Sequence, residues 1–469
     1  MYKTVVGLEI HTELNTNSKI FSSSKNEYNL NSNVFVSPLD IALPGTLPVV
    51  NEEVFKKGIT LAKIFNMNIA ELIIFDRKHY FYPDLPKGFQ ITQHTMPIGT
   101  KGTYKLFSGK VIRIHDIHIE EDTASLDHYE DYSLIDYNRC GIPLIEIVTE
   151  PDFDGVEEAI NFLEDLRIIL KSNNLSEADV KKGQIRCDVN VSVHKEGESL
   201  GTRVEIKNVN SFSNVRKVIE AESKRQIELL EKGEKIEQET RRYDEEENTT
   251  ILMRSKEDAI DYRYYVEPNI PILKLPEEFI NDIKEDFILP NEILNKYISL
   301  GINVINAKKI IKSKELIDYF EKCLELNMEP INTVNLITGP ILEYLNKKEI
   351  TIDKYCLIPN ELEQLVNLNK TEEISSKQLK EIILNINEEK LSLEKYIKKH
   401  NIRQINNEEE IIKIIKKILE ENEDKVLAYK NGNVNLIKFF IGKIMAETKG
   451  NVNPVKANTL LEKLLKGEN

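Results

Sequence analysis

The chain has 469 residues, a length that predicts about three domains, and its 63 Lys plus Arg against 78 Asp plus Glu give a net charge of −15 at pH 7. The acidic pI near 5.3 excludes a general nucleic-acid coat, because such a protein needs a positive surface to displace counterions. Four cysteines without a C-x-x-C pair exclude a disulfide scaffold and a cysteine-built zinc site, and the lack of a long apolar run predicts a cytoplasmic protein with no membrane span.

The composition changes near residue 290. Up to about Glu267, short β-branched and aromatic segments alternate with Gly, Pro, Asn and Asp, and prolines then cluster as far as Pro290. Beyond this point Ile, Leu, Lys, Glu and Asn recur at helical spacing. The pattern predicts an α+β protein, with an antiparallel sheet in the front half over 1–290 and an all-helical back half, which we divide into a domain over 291–398 and a small helical tail over 399–469.

The first predicted strand, V-G-L-E-I-H-T-E-L, alternates apolar and polar side chains. Val6, Leu8 and Ile10 share one face, whereas Glu9 and His11 share the other. A period of two with one polar face is typical of an antiparallel sheet that is covered on one side. Mg²⁺ prefers oxygen ligands, so His11 suits Mn²⁺ better, or it binds a water or a phosphate.

Another predicted strand, R-I-H-D-I-H-I-E-E-D-T, ends in acidic residues that include the pair Glu120 and Glu121. Its histidines, His115 and His118, lack helical zinc spacing, which favours solvated or hydrogen-bonded imidazoles. The acidic end of this strand therefore offers carboxylates rather than a zinc site.

Two later strands repeat the pattern of the first. Arg186 and Asp188 oppose a valine face in Q-I-R-C-D-V-N-V-S-V-H, and Arg203, Glu205 and Lys207 share the polar face of T-R-V-E-I-K-N. For any one strand, an ordinary solvent-exposed face is the simpler interpretation. Several strands that each place a carboxylate beside a cation favour a site in which acids hold a divalent metal ion and Arg or Lys holds phosphate.

Several common catalytic motifs are absent from the sequence. It contains no P-loop, no G-x-G-x-x-G and no G-x-S-x-G. Any use of ATP therefore requires a carboxylate-lined sheet, which resembles the glutamine synthetase type of active site. The segment F-D-R-K-H-Y-F-Y-P-D-L-P-K-G-F-Q (75–90) predicts either a well-packed irregular loop or the wall of a channel for a polar substrate.

Nine segments, taken in order, resemble the B subunit of the aspartyl/glutamyl-tRNA amidotransferases, the GatB family. They are V-G-L-E-I-H-T-E-L, L-P-G-T-L-P-V-V-N, F-D-R-K-H-Y-F-Y-P-D, H-I-E-E-D, I-P-L-I-E-I-V-T-E-P-D, G-Q-I-R-C-D-V-N, V-E-I-K-N-V-N-S-F, Q-E-T-R-R-Y-D and D-Y-R-Y. They cover roughly the first 270 residues. The back half resembles the family more loosely, through L-P-N-E, N-G-N and G-N-V-N-P.

The resemblance implies an ATP-dependent carbon–nitrogen ligase. A protein of this kind works with an amidase-type glutaminase A subunit and a small C subunit on misacylated Glu-tRNA(Gln), Asp-tRNA(Asn) or both. It phosphorylates the side-chain carboxylate of the attached amino acid, and ammonia from the A subunit displaces the phosphate. Two alternatives stay open: a non-catalytic tRNA-binding adaptor, and a glutamine-synthetase-like ligase that acts on a free small molecule.

The resemblance also implies roles for individual residues. The expected ligands of Mg²⁺, with Mn²⁺ possible, are Glu9, His11, Glu121, Asp188 and Glu205, and Glu120 is the less favoured member of its pair. Of these, Glu9, His11, Glu121 and Glu205 are the expected catalytic residues. The expected ATP-phosphate ligands are Arg186, Arg203 and Lys207.

Two further features bear on cofactors and partners. Some family members have a zinc knuckle of cysteines after the first strand, but here that stretch reads F-S-S-S-K-N-E-Y, so we expect no zinc. From Lys425 to Asn469 eight lysines and three acids give a local charge of +5, with lysines 425, 430, 438, 443, 449, 456, 463 and 466. This is either a solvated basic face or, as the resemblance implies, a surface that binds the tRNA backbone.

Overall fold

The computed structural model describes residues 1–209, 211–255, 261–400, 402, 405, 407–431, 433–448 and 451–466, without the side chains of Asn208 and Lys466. The chain divides into two compact units, Met1–Ile293 and Leu294–Asn469. The boundary lies close to the predicted residue 290. The further division of the helical half at residue 398 stays a prediction. No helix in the described ranges combines the length and the apolar character that a membrane span requires.

The first unit contains the strands. They are β1 (Tyr2–Glu13), β2 (Asn68–Ile69), β3 (Leu72–Ile73), β4 (Asp76–His79), β5 (Phe89–Thr92), β6 (Gly99–Lys105), β7 (Val111–Glu121), β8 (Ser125–His128), β9 (Ser133–Asp136), β10 (Pro143–Thr149), β11 (Phe153–Asp154), β12 (Ile185–Lys195), β13 (Val204–Val209), β14 (Glu239–Asp244), β15 (Thr249–Ser255), β16 (Tyr265–Val266) and β17 (Leu273–Lys274). Its helices are α1 (Glu52–Ile64), α2 (Val156–Ser172), α3 (Phe212–Glu231) and α4 (Glu277–Asn281).

The second unit is helical. Helix α5 (Pro290–Ser299) crosses the boundary between the units. The others are α6 (Val304–Ile310), α7 (Lys314–Glu325), α8 (Pro330–Leu336), α9 (Leu342–Lys348), α10 (Pro359–Lys370), α11 (Ser376–Glu389), α12 (Leu393–His400), α13 (Glu408–Glu420), α14 (Glu423–Lys430), α15 (Leu436–Glu447) and α16 (Pro454–Lys466).

The main sheet of the described chain is mixed rather than purely antiparallel. Its strand order is β15-β14-β13-β12-β1-β10-β7-β6-β2, and β11 pairs with β1. All of its pairs are antiparallel except β13 with β14, which are parallel. The expectation of an antiparallel sheet is therefore corrected at this pair. The helix α3 connects the two strands, and a helical crossover returns the chain to the same end of the sheet, which makes the pair parallel.

One face of this sheet is covered and the other carries the polar residues. On β1, the side chains of Val6, Leu8 and Ile10 are fully buried, and they share one hydrophobic core with apolar residues of α1, α2 and α3. Because side chains alternate along a strand, Glu9 and His11 must point away from that core. The helices thus leave the polar face available for a site.

A small sheet of β16, β4 and β5 is attached to the end of β7. The Gln90 side chain donates to the Glu121 backbone oxygen at 2.8 Å, and the backbone N–H of Ile119 donates to Gln93 Oε1 at 2.9 Å. These buried hydrogen bonds hold the segment 75–92 against the strand that carries Glu120.

The last four helices enclose a core of their own. Ile411, Ile415, Phe440, Ile444 and Leu461 are among its buried residues. Lys438 and Lys443 of α15 are exposed, as the amphipathic pattern predicts. Of the eight predicted basic residues, Lys449 and the side chain of Lys466 lie outside the described residues.

Candidate active site

The pairing of three central strands aligns the polar residues in rows. Across β12, β1 and β10, Asp188 lies opposite Glu9, and in the next row Arg186 lies opposite His11 and His11 opposite Glu146. Directly opposed residues of an antiparallel pair have Cβ atoms only about 5 Å apart. Residues from distant parts of the sequence thereby meet on one sheet face.

The first cluster of acids contains Glu9, Asp188 and Glu205. One oxygen from each lies within 4.8 Å of the others. The Lys207 ammonium lies 3.2 Å from Asp188 Oδ2 and 2.9 Å from Glu205 Oε1, and the Asn190 amide donates to Glu9 Oε1 at 2.9 Å. Three carboxylates therefore face one ammonium, a donor set that suits a divalent cation.

The electrostatics of this cluster follow from burial and from its charges. Burial raises the pKa of Glu9, and the charges of Glu146, Glu205 and Asp188 raise it further, although the Asn190 hydrogen bond acts against the shift. Burial alone would raise the pKa of Glu205, but the Lys207 charge and hydrogen bonds outweigh it, so this pKa is lowered. The acids thus repel one another, and added positive charge would relieve that repulsion.

The second cluster contains His11, Glu120 and Glu146. His11 Nε2 lies 3.2 Å from Glu146 Oε2 and 3.5 Å from Glu120 Oε1, and His118 Nε2 lies 2.8 Å from the same Glu146 oxygen. The buried Glu120 Oε2 has no hydrogen-bond partner among the described residues. A buried acceptor without a donor is costly, so this atom fits a bound cation.

Glu146 holds both imidazoles of this cluster. Burial alone would lower the pKa of His118, but the Glu146 charge and hydrogen bonds to Asp116 and Glu146 raise it to about 10. The pKa of His11 is raised in the same way, against burial, by Glu146 and Glu120. In turn the two imidazoles lower the pKa of Glu146, although burial would raise it.

The expected ligand Glu121 lies outside both clusters. Lys87 donates to its two carboxylate oxygens at 2.5 and 2.6 Å, and the Ile91 backbone N–H donates to Oε1 at 2.9 Å. The preference for Glu121 over Glu120 is thereby corrected. Since side chains alternate along β7, Glu120 shares the face of His118, whereas Glu121 points to the opposite side.

The expected phosphate ligands differ in their surroundings. Lys207 lies within the first cluster, whereas an Arg186 guanidinium nitrogen donates to Asp122 Oδ1 at 3.0 Å. Arg139 also binds both oxygens of Asp122, at 2.6 and 3.0 Å. Arg203 is exposed in the segment before β13. Of the three, the structure brings only Lys207 into direct contact with the cluster acids.

Sequence reasoning did not assign two residues to the site: Glu146, which belongs to the second cluster, and His118, which contacts it. Glu146 lies in the segment I-P-L-I-E-I-V-T, where it is the only acid among the apolar side chains of β10. The pattern around His118 predicts a solvated or hydrogen-bonded imidazole, and the structure shows it hydrogen-bonded to Asp116 and Glu146, although sequence reasoning gave it no place beside the site. An isolated acid in an otherwise apolar strand was the signal that could have identified Glu146.

The serine-rich stretch after β1 surrounds a buried ion pair. The Lys19 ammonium lies 3.3 Å from Asp40 Oδ2 and also donates to the Tyr137 backbone oxygen. Ser22 and Ser24 donate to Asp40 at 2.8 and 2.7 Å. Packing, hydrogen bonds and this ion pair hold the loop, and the absence of zinc stays a prediction.

Two acidic clusters with adjacent cations thus lie on one face of a sheet whose other face is packed by helices. Such side chains are chemically suited to a divalent cation and a phosphate. Residues 4–281 match the GatB/GatE catalytic domain, and residues 318–465 match the GatB domain. The chain belongs to the GatB family.

Relatives similar over their full length share one name, which describes each of them as the B subunit of aspartyl/glutamyl-tRNA(Asn/Gln) amidotransferase. The protein of Thermosipho melanesiensis is 43% identical, with 99% of each chain covered. The protein of Oceanobacillus iheyensis is 40% identical, with 98% of each chain covered. The protein of Thermotoga maritima is 39% identical, with 100% of each chain covered.

Proposed function

We propose that this chain is the B subunit of a tRNA-dependent amidotransferase and carries the ATP-dependent step on misacylated Glu-tRNA(Gln), Asp-tRNA(Asn) or both. The observation that carries the proposal is the pair of acidic clusters aligned on one sheet face. Family membership and the names of the relatives give the substrate. Three or more oxygen ligands beside a lysine suit a nucleotide phosphate with its cation.

The reaction follows from the chemistry of a carboxylate. Its oxygen is a poor leaving group, so the substrate carboxylate first attacks the γ-phosphorus of ATP and ADP departs with the bridging oxygen. Ammonia then attacks the carbonyl carbon of the acyl phosphate, loses a proton and releases inorganic phosphate. Both steps depend on positioning and on neutralised phosphoryl charge, which the two rows of side chains provide.

In this proposal each of the two clusters binds one metal ion. Glu9, Asp188 and Glu205 would hold one Mg²⁺. His11, Glu120 and Glu146 would hold a second Mg²⁺ or, because of the histidine, Mn²⁺. When bound, these ions would neutralise phosphate and carboxylate charge. Lys207 then contacts the phosphates. His118 fixes the orientation of Glu146, as an outer ligand does in many metal sites.

The wider assembly is part of the same proposal. The carboxylate-lined sheet supports a glutamine-synthetase type of catalytic domain. A glutaminase A subunit supplies ammonia, a small C subunit completes the complex, and the basic helices at the end of the chain bind the tRNA backbone. Exposed Lys438 and Lys443 suit such a contact, because phosphate binding depends on charge rather than on base sequence.

The test uses the chain reconstituted with its A and C subunits. Conversion of Glu-tRNA(Gln) to Gln-tRNA(Gln) is measured with ATP, Mg²⁺ and ammonium in place of glutamine. We expect conversion that requires ATP and is lost in Glu9→Gln and Glu205→Gln, but not in the exposed control Glu198→Gln.

Two results would contradict the proposal. Retained tRNA binding without any conversion in the unmodified complex would support the adaptor alternative. ATP-dependent amidation of free glutamate that survives deletion of residues 425–469 would support a ligase for small molecules.

A further inference from the structure

Lys78 is a cation of the first unit to which neither the sequence nor the comparisons assign a role. It lies on β4, where it pairs with Gln90 of β5. Because Gln90 donates to the Glu121 backbone oxygen and the Glu121 carboxylate accepts from the Ile91 N–H, these two strands are fixed to the end of β7. As paired residues, Lys78 and Gln90 share one side of this small sheet, the side that faces β7, and Lys78 interacts there with the charges of Glu120 and Glu146.

The surroundings of the Lys78 ammonium are aromatic and acidic. Its nitrogen lies 4.9 Å from the centroid of the Tyr262 ring, and the side chain is partly buried. Burial alone would lower its pKa, but the charges of Glu120 and Glu146 outweigh burial, so the pKa is raised and the amine stays protonated. Tyr264, whose ring is stacked on His94 at a centroid distance of 3.9 Å, also interacts with the Lys78 ammonium.

Neighbouring cations of the first unit are already bound to carboxylates. Arg77 binds Glu267, Lys87 binds Glu121, and Lys207 binds Asp188 and Glu205. Within the part of the chain that the structure describes, no carboxylate lies within ion-pair distance of Lys78. A partly desolvated ammonium in this position is suited to receive an anionic group.

Lys78 and Lys207 lie on opposite sides of β1. The backbones of β13 and β7 are four strand spacings apart, or about 19 Å at about 4.8 Å per spacing, and Lys78 lies beside the β7 end. A single phosphate group is too small to contact both Lys207 and Lys78. The lysine among the three acids, Lys207, suits the nucleotide, which leaves Lys78 for the other anion of the reaction.

We propose that the Lys78 ammonium binds the side-chain carboxylate of the aminoacyl group and holds it over the His11–Glu120–Glu146 cluster. The inference rests on the proposed function. The Lys78 ammonium gives a carboxylate over this cluster a charge-assisted hydrogen bond, in addition to the charge of a cation held by Glu120 and Glu146. It therefore distinguishes the acid substrate from the amide product, which carries no charge.

The test compares Lys78→Met, Lys78→Arg and the exposed control Lys105→Met in the reconstituted complex. We expect Lys78→Met to lower kcat/KM for the misacylated tRNA by about tenfold to a hundredfold, the range for loss of one hydrogen bond to a charged group. The KM for ATP should stay within about twofold of the unmodified value, and Lys78→Arg should restore part of the activity, because it restores the charge. Circular dichroism confirms that the variants are folded.

Three outcomes would overturn the inference. A rise in the KM for ATP that matches the loss in kcat/KM would assign Lys78 to the nucleotide. Kinetics of Lys78→Met equal to those of Lys105→Met would leave Lys78 without a role in binding, and equal loss in the Met and Arg variants would indicate a role in packing alone. In each case the unmodified complex still amidates, whereas failure of that complex would refute the proposed function itself.

Discussion

The buried carboxyl group of Glu13, the last residue of β1, should make the free energy of unfolding depend on pH. Its side chain is only 9% exposed and lines a cavity of about 470 Å³ with Arg139 and Glu177. Burial and the charge of Asp122 raise its pKa from the ordinary 4.5 to about 7, although Arg139 and Arg186 partly offset the shift. The folded protein therefore keeps a proton on Glu13 that the unfolded chain releases.

The substitution Glu13→Gln keeps the shape of the side chain and removes this ionisation. Between pH 4.5 and about 7 the folded state of the unmodified protein binds more protons than the unfolded state, so its stability falls as the pH rises. At about 1.36 kcal/mol per pH unit, this interval corresponds to about 3 kcal/mol. We expect the variant to gain about this amount, relative to the unmodified protein, as the pH is raised from below 4.5 to above 7.

The measurement is urea unfolding followed by circular dichroism, at several pH values between about 4 and about 8. The control is Glu177→Gln, which removes an exposed carboxylate from the same cavity. Other groups that titrate in this range cancel in the difference between variant and unmodified protein. A stability difference for Glu13→Gln that does not change with pH, or the same change in Glu177→Gln, would refute the reasoning.

Three further experiments test other features. Glu120→Gln should weaken Mn²⁺ binding measured by calorimetry. Glu121→Gln should chiefly lower stability, because Glu121 binds Lys87 instead of the cluster. Equal Mn²⁺ affinities of the two variants would argue against these separate roles of Glu120 and Glu121. Asp40→Asn leaves the Lys19 ammonium buried without its carboxylate and should cost about 3–5 kcal/mol in urea unfolding, and a cost below about 1 kcal/mol would mean that the pair contributes little. Deletion of residues 425–469 should reduce both the affinity for tRNA and its salt dependence in filter binding, and an unchanged salt slope would place the tRNA contact elsewhere.

Much of the polar sheet face was predictable because strand periodicity is local. The alternation in V-G-L-E-I-H-T-E-L and Q-I-R-C-D-V-N-V placed Glu9, His11 and Asp188 opposite apolar faces that are buried in the structure. Glu205 followed from the same pattern in β13. The sequence could not show which strand lies beside which, since hydrogen-bonded pairing joins residues far apart in the chain.

The residues that sequence reasoning missed depend on that pairing. Glu146 becomes part of the site only because β10 lies next to β1, although the paired residues Ile10 and Ile147 are far apart in the chain. The choice between Glu120 and Glu121 did not depend on strand pairing. Alternation with the apolar Ile117 and Ile119 already favoured Glu120 for the polar face, but the resemblance favoured Glu121. The parallel pair β13–β14 depends on the α3 crossover, which has no period-two signal.

Glu9 and His11 lie two residues apart on β1, so the strand fixes the backbone distance between the residues that it contributes to the two proposed ion sites. Two residues of extended chain span about 6.6–6.8 Å, whereas enzymes with a shared pair of metal ions hold them about 3.5–4 Å apart. In the proposed function, this backbone spacing favours two separate ion sites over one shared pair of ions. Since β1 is hydrogen-bonded on both edges and its apolar face is buried in the core, the backbone positions of Glu9 and His11 cannot change without a shift in the register of the sheet.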